Sequence, residues 1–269
     1  MINDLLNTAW EILNISDPQQ KVTQTYAAFD KFFKQDLQVE KIDLDKPVQQ
    51  LIIPGRPNKP ELVQPRELPR RGLNTLEGRA TLLHAICHIE FNAINLALDA
   101  VYRFRDMPAQ YYLDWLKVAK EEAYHFSLVR DYLEELGFAY GAFPAHNGLW
   151  EMAVDTEHDV LIRMALVPRV LEARGLDVTP GIMKKFESVN DTRANEILTI
   201  IERDEIGHVE IGSYWYRYCC DLRKVDHDKT FIDLLQKYLK SGVKKPINHK
   251  ARLQAGFTQK EIDYFESNL

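Results

Sequence analysis

Apolar residues recur at helical spacing along most of this chain, and the pattern predicts an all-α protein. Residues from about 3 to 38 read as helical, and Asp17-Pro18 forms an N-cap and first-turn pair. The helix it opens carries Val22, Tyr26, Phe29, Phe32 and Phe33 on one face. From 41 to 73 the period is lost, because five of the twelve prolines fall between Pro54 and Pro69. This segment is expected to run extended over the surface, anchored by Leu51, Ile52, Ile53, Leu62 and Val63. Thr75 then caps a helix to about Phe104, with Leu83, Ile86, Ala93, Ile94, Ala97 and Val101 around Glu90. Pro108 opens a second, through Trp115, Val118, Glu122, His125 and Tyr132 to near Gly137. A third is expected from Leu149 to Arg174, closed by Gly175, with Leu161, Ala165, Pro168 and Glu172 inward. Pro168 predicts a kink or a π-bulge just before Glu172. A short helix begins at Thr179-Pro180. A long one follows from Asp191 to about Cys220, with Ile197, Ile201, Glu205, His208, Gly212 and Trp215 inward. The tail, from about Asp228, reads as two helices, the second opened by the capping box Thr258-Gln259-Lys260-Glu261.

Two short stretches on these helices carry chemistry: Glu121-Glu122-Ala123-Tyr124-His125 and Asp204-Glu205-Ile206-Gly207-His208. Residues three apart on a helix share a face, so each stretch aims one carboxylate and one imidazole at a common spot. Glu90 stands 32 residues before Glu122, and Glu172 stands 33 before Glu205. Two Glu-x-x-His helices and one Glu from each of two others are the makings of a di-metal site in a four-helix bundle. Glu90 lies on an otherwise apolar stripe, where a lone carboxylate costs several kcal/mol unless paired, protonated or metal-bound. His84 and His88 fall off that stripe and read as hydrogen-bonded structural histidines. Gly207 and Gly212 flank His208, and their missing side chains either permit close helix approach, the favoured reading, or leave a small cavity beside the metal.

Charge and cysteine usage narrow the setting. A net charge of −6 argues against a broad nucleic-acid or anionic-membrane surface, and Arg70-Arg71 reads as plain surface charge. Cys87, Cys219 and Cys220 form no spaced framework, which points to reduced thiols in a cytoplasmic protein without sulfur ligation. The first residues lack the pattern of a signal peptide, and no stretch is expected to span a bilayer. The organisation expected is residues 1–73 as N-terminal helices and a wrapping Pro-rich segment, 74–222 as the bundle, and 223–269 as a C-terminal helical extension.

The chain resembles the bacterial domain-of-unknown-function 455 family, within the ferritin-like superfamily of non-haem di-iron carboxylate proteins. The stretches that carry this are Pro54-Gly55-Arg56-Pro57, Glu77-Gly78-Arg79-Ala80 with Leu82-Leu83-His84-Ala85-Ile86, Phe143-Pro144-Ala145-His146, the run from Arg163 to Gly175, and Glu205-Ile206-Gly207-His208. The similarity spans about residues 20 to 260. It implies a ferritin-like four-helix bundle with added terminal helices, and Glu90, Glu122, His125, Glu172, Glu205 and His208 as the six metal ligands. It also implies that the acidic residue before each paired Glu holds a ligand histidine by its other ring nitrogen. Asp204 fits that role, whereas Glu121 stands where the superfamily has Asp.

Carboxylate with imidazole suits two iron ions, with manganese or a mixed pair as the alternative. The function expected is an oxygen-dependent oxidoreductase acting on a small molecule, with dioxygen as co-substrate. Iron oxidation, storage or detoxification is a second class, and a non-catalytic metal-stabilised structural or partner-binding bundle a third. A homodimer is the assembly expected, with no nucleic-acid partner.

Overall fold

The computed structural model describes residues 2–34, 47–69, 71–239 and 242–267. The expected helical residues 35–38, the start of the Pro-rich segment and Arg70 lie outside them. Every regular element among the described residues is helical, and the extended backbone makes only an isolated parallel bridge between Leu62 and Ala145. The chain forms two compact units, Met1–Val154 and Asp155–Leu269.

In the first unit, α1 (Ile2–Leu13) buries Ile2, Leu5, Leu6, Ala9, Ile12 and Leu13, a helical stripe that packs on α3 (Leu76–Arg103). Each such fully buried Leu or Ile contributes about 1.5–3 kcal/mol. Asp17 caps α2 (Pro18–Phe32), accepting from Gln20 N at 2.6 Å. The buried face of α2 is turned from the expected one, onto Lys21, Val22, Thr25, Ala28 and Phe32. Phe33 is exposed, Phe29 stacks on it, and Lys120 Nζ lies 4.1 Å from the Phe29 ring centre. These rings find partners at the edge of the fold, so they need not enter it. Lys21 takes the inner place because its ammonium donates to Leu13 O at 3.2 Å and to Asn95 Oδ1.

Thr75 accepts from Gly78 N and starts α3, which packs along α4 (Ala109–Glu135). From Phe91 to Phe104 α3 is buried all round. On length and composition α3 could cross a bilayer, contrary to the expectation that no stretch would. Burial distinguishes it: most of its apolar window is inside the fold, and its last turns hold a buried Arg103–Asp99 ion pair at 2.7 Å.

The Pro-rich segment anchors differently from expectation. Leu51, Pro54 and Pro60 are buried, while the Ile52 and Ile53 side chains are exposed. What holds is backbone: Ile52 O accepts from Trp150 Nε1 of α5 (Gly148–Asp155), Val63 N donates to Ala145 O, and Ala145 N donates to Glu61 O. Gly55 lies so close to the turn after α1 that a Cβ would stand 2.4 Å from Asn14 C. Only glycine fits there.

The second unit begins with a correction. The single helix expected from Leu149 to Arg174 is interrupted at Asp159, whose carboxylate accepts from Leu161 N and Ile162 N and caps α6 (Val160–Leu166). A π-helical turn, Val167–Glu172, follows. Pro168 lacks a backbone donor, and Ala173 N reaches back five residues to Pro168 O. The chain then continues as α7 (Ala173–Glu187) through Gly175 and Pro180, where a stop and a new start were expected. Pro180 cannot satisfy the carbonyl one turn earlier, and Asn248 Nδ2 donates to Leu176 O at 3.1 Å in its place.

Asp191 caps α8 (Thr192–Arg223), on which α6, the π turn and α7 all pack. Helices α9 (His227–Tyr238), α10 (His249–Gln254) and α11 (Gln259–Ser267) complete the unit. Thr258 and Glu261 form the expected capping box, with Glu261 accepting from Thr258 N and Thr258 Oγ1 from Glu261 N.

Candidate metal centre

Each unit carries half of the constellation. In the first, α3 brings Glu90 beside α4, and on α4 Glu122 and His125 stand one turn apart. All three are buried. His125 Nδ1 lies 3.3 Å from Glu90 Oε2 and 3.4 Å from Glu122 Oε2. One imidazole nitrogen thus faces two carboxylates that repel each other in a low-dielectric interior. A cation relieves that repulsion. Two ligand atoms each about 2.1 Å from one ion lie about 3.0 Å apart at a right angle and about 3.4 Å apart at a tetrahedral angle. The spacing and the donor chemistry therefore fit a metal ion without rearrangement.

Cys87 lies one turn before Glu90 on α3, and burial, then the Glu90 carboxylate, push its thiol pKa well up.

In the second unit, Glu205 and His208 are buried one turn apart on α8, with His208 Nδ1 3.6 Å from Glu205 Oε1. Glu172 ends the π turn and is half-buried. Its level on α8 follows from antiparallel pairing. Asp159 accepts from Arg223 at 2.7 and 2.8 Å, and farther along Pro168 lies against Gly212. Four residues beyond Pro168, Glu172 comes level with Glu205 and His208. Asp204 accepts from Arg203 at 2.8 and 3.1 Å, and Glu121 lies 3.7 Å from Lys117 Nζ.

Beside the ligands, Tyr124 is exposed and Trp215 is buried. At Gly212 an added Cβ would stand 2.4 Å from Pro168 Cβ and Cγ, so that space belongs to the proline ring. Gly207 has nothing within 4 Å of where a Cβ would be.

The other histidines of α3 are hydrogen-bonded. His84 Nε2 accepts from Gly141 N at 2.9 Å. His88 Nδ1 lies 2.9 Å from Tyr140 Oη, and its Nε2 3.0 Å from Asn92 Nδ2. Burial lowers their pKa values to about 4 for His84 and about 3 for His88.

A family model spanning residues 14–263 matches this sequence. The chain belongs to the DUF455 family. That family is described as proteins of unknown function. A relative from Haemophilus influenzae, described only as an uncharacterized protein, is 49% identical over 259 residues, covering 94% of this chain and 90% of its own. No solved structure matches.

Two buried groups escaped the sequence reading. Arg169 pairs with Glu261, its Nη2 donating to both oxygens, and Arg252 pairs bidentately with Asp177 through Nε and Nη2; all four side chains are buried. Arg169 and Arg252 sit on helical stretches whose neighbours are apolar, and an arginine there is the only local sign that a carboxylate must meet it.

Proposed function

We propose that the buried Glu90, Glu122 and His125 hold one metal ion and that Glu172, Glu205 and His208 supply the ligands of a second, as in the di-metal proteins of the ferritin-like superfamily. The observation that carries this reading is the convergence of Glu90 and Glu122 on His125 Nδ1 at 3.3 and 3.4 Å, all three buried. Iron is the first choice of metal because carboxylate and imidazole oxygen and nitrogen donors suit it, with manganese the closest competitor. Glu121 and Asp204 are proposed to orient the ligand histidines.

Such a pair of ions, when bound, supplies redox chemistry toward dioxygen at coordination positions that six protein ligands leave open. The chain's own contribution is to aim the carboxylates and both imidazoles and to exclude water by burying them. On this reading the protein is an oxygen-dependent oxidoreductase of a small organic molecule.

The test is stopped-flow mixing of protein loaded anaerobically with iron(II) against dioxygen. Oxidation that one class of organic compound accelerates, and that disappears in Glu122→Ala and Glu205→Ala, supports an oxidoreductase. Iron accumulating beyond two per chain, with no effect of any organic compound, supports iron oxidation and storage instead. No reaction with dioxygen or peroxide ends the enzymatic reading.

A further inference from the structure

The π-helical turn at Val167–Glu172 is held from two sides. On one side it dovetails into α8: the Pro168 ring fills the space over Gly212, and Arg169 Nε donates to Ser213 Oγ at 3.1 Å. On the other it is tied to the tail. Arg169 Nη2 donates to both oxygens of Glu261 at 2.8 and 2.7 Å, and its guanidinium carbon lies 4.7, 4.1 and 4.5 Å from the ring centres of Tyr216, Phe231 and Phe257. The tail is itself fixed to α8, since Arg217 donates to Gly256 O in the turn before α11.

We propose that Arg169 and Glu261 are positioning residues: through this pair α11 sets the register of the π turn on α8, and so the level at which Glu172 meets Glu205 and His208. The inference rests on the metal-site reading above and makes α11 part of what shapes the site.

Stability alone does not account for the pair. A buried ion pair recovers little net free energy beyond its desolvation cost, and a well-packed apolar pair of similar volume commonly does as well. What an apolar pair lacks is fixed geometry. Nη2 on both Glu261 oxygens and Nε on Ser213 hold the guanidinium plane in one orientation between α11, the turn and α8. A π turn places one more residue in the same length of helix axis than an α turn would. Relaxed to regular helix, the turn would shift Glu172 along and around the helix axis relative to the point where Pro168 meets Gly212.

The experiment compares the full chain with Arg169→Met/Glu261→Leu, which keeps volume without charge, with Glu261→Gln, which keeps shape and one acceptor, and with Arg169→Lys. Three readouts are taken: manganese(II) affinity, the absorption spectrum of the cobalt(II)-loaded protein, and hydrogen exchange of the backbone amides from Arg169 to Ala173. The expected result is a folded double variant with metal affinity reduced about 10–100-fold, a changed cobalt spectrum and faster exchange confined to the turn. Arg169→Lys should recover only part of the affinity. A folded double variant with unchanged affinity, spectrum and exchange overturns the proposal. If the double variant does not fold, Glu261→Gln carries the same comparison. Should the unmodified chain bind neither metal, the metal-site reading fails. Exchange then decides the positioning claim alone: acceleration confined to the turn upholds the tie to α11, and unchanged exchange overturns it.

Discussion

Gly212 gives its bare Cα face to the ring of Pro168, so closely that a methyl group there would lie 2.4 Å from two ring carbons. Neither partner can yield easily, because Pro168 belongs to the π turn and Gly212 to the middle of α8. Gly212→Ala should therefore destabilise the fold by about 1–3 kcal/mol, although alanine is the better helix former. Urea unfolding checks this. A variant as stable as the parent would show that the turn can move off α8.

Metal should stabilise the native state, because the convergent carboxylates exist only there. At a hundredfold excess over Kd the gain is about 2.7 kcal/mol, or roughly 5–10 °C in Tm for a chain of this size. Thermal melts with iron(II) or manganese(II), set against magnesium(II) and no addition, give the measurement. Glu122→Ala and His125→Ala should lose the shift. Equal melts at saturating metal count against a core site.

Lys21 provides a pH dependence of known sign. Burial lowers its pKa from 10.5 to about 7. Between those values the unfolded chain binds a proton that the folded chain does not, so stability rises with pH from about 7 to about 10.5. Lys21→Met removes that term. Unfolding free energies measured at several pH values across this window should show the parent gaining on the variant as pH rises. A gap independent of pH would mean that Lys21 is charged throughout.

On the acid side, His84 and His88 act together. Their folded pKa values, about 4 and about 3, lie below the ordinary 6.5. The stability they contribute is present above about 6.5 and is lost as pH falls toward 3. His84→Gln and His88→Gln should lose less stability than the parent between pH 7 and pH 4.5, read from the shift of the urea midpoint. An equal loss would place the acid sensitivity in the carboxylates.

Asn248 completes the helix that Pro180 interrupts. Asn248→Leu leaves Leu176 O without its side-chain donor and should cost about 1–3 kcal/mol. In Pro180→Ala the helix supplies its own donor, so the same Asn248 substitution should cost less. A double-mutant cycle measures the coupling, and a value of zero would refute it.

The sequence by itself determined several helix starts and their caps. Asp17, Thr75, Asp191 and the Thr258–Glu261 box each act within three residues of their own position, so local spacing suffices to place them. It also determined which face of α4 carries Glu122 and His125, since a three-residue step on a helix has one geometric outcome. Tertiary structure decided what depends on partners distant in the chain. Lys21 turned α2 because Asn95 and Leu13 O awaited it inside. Pro180 stayed within a helix because Asn248, far along the chain, replaced the missing bond. Glu261, legible only as a cap, also closes on Arg169, 92 residues away. Local spacing carries no record of such pairings. A buried charge or an unsatisfied carbonyl signals only that a partner is required, and packing alone chooses which one.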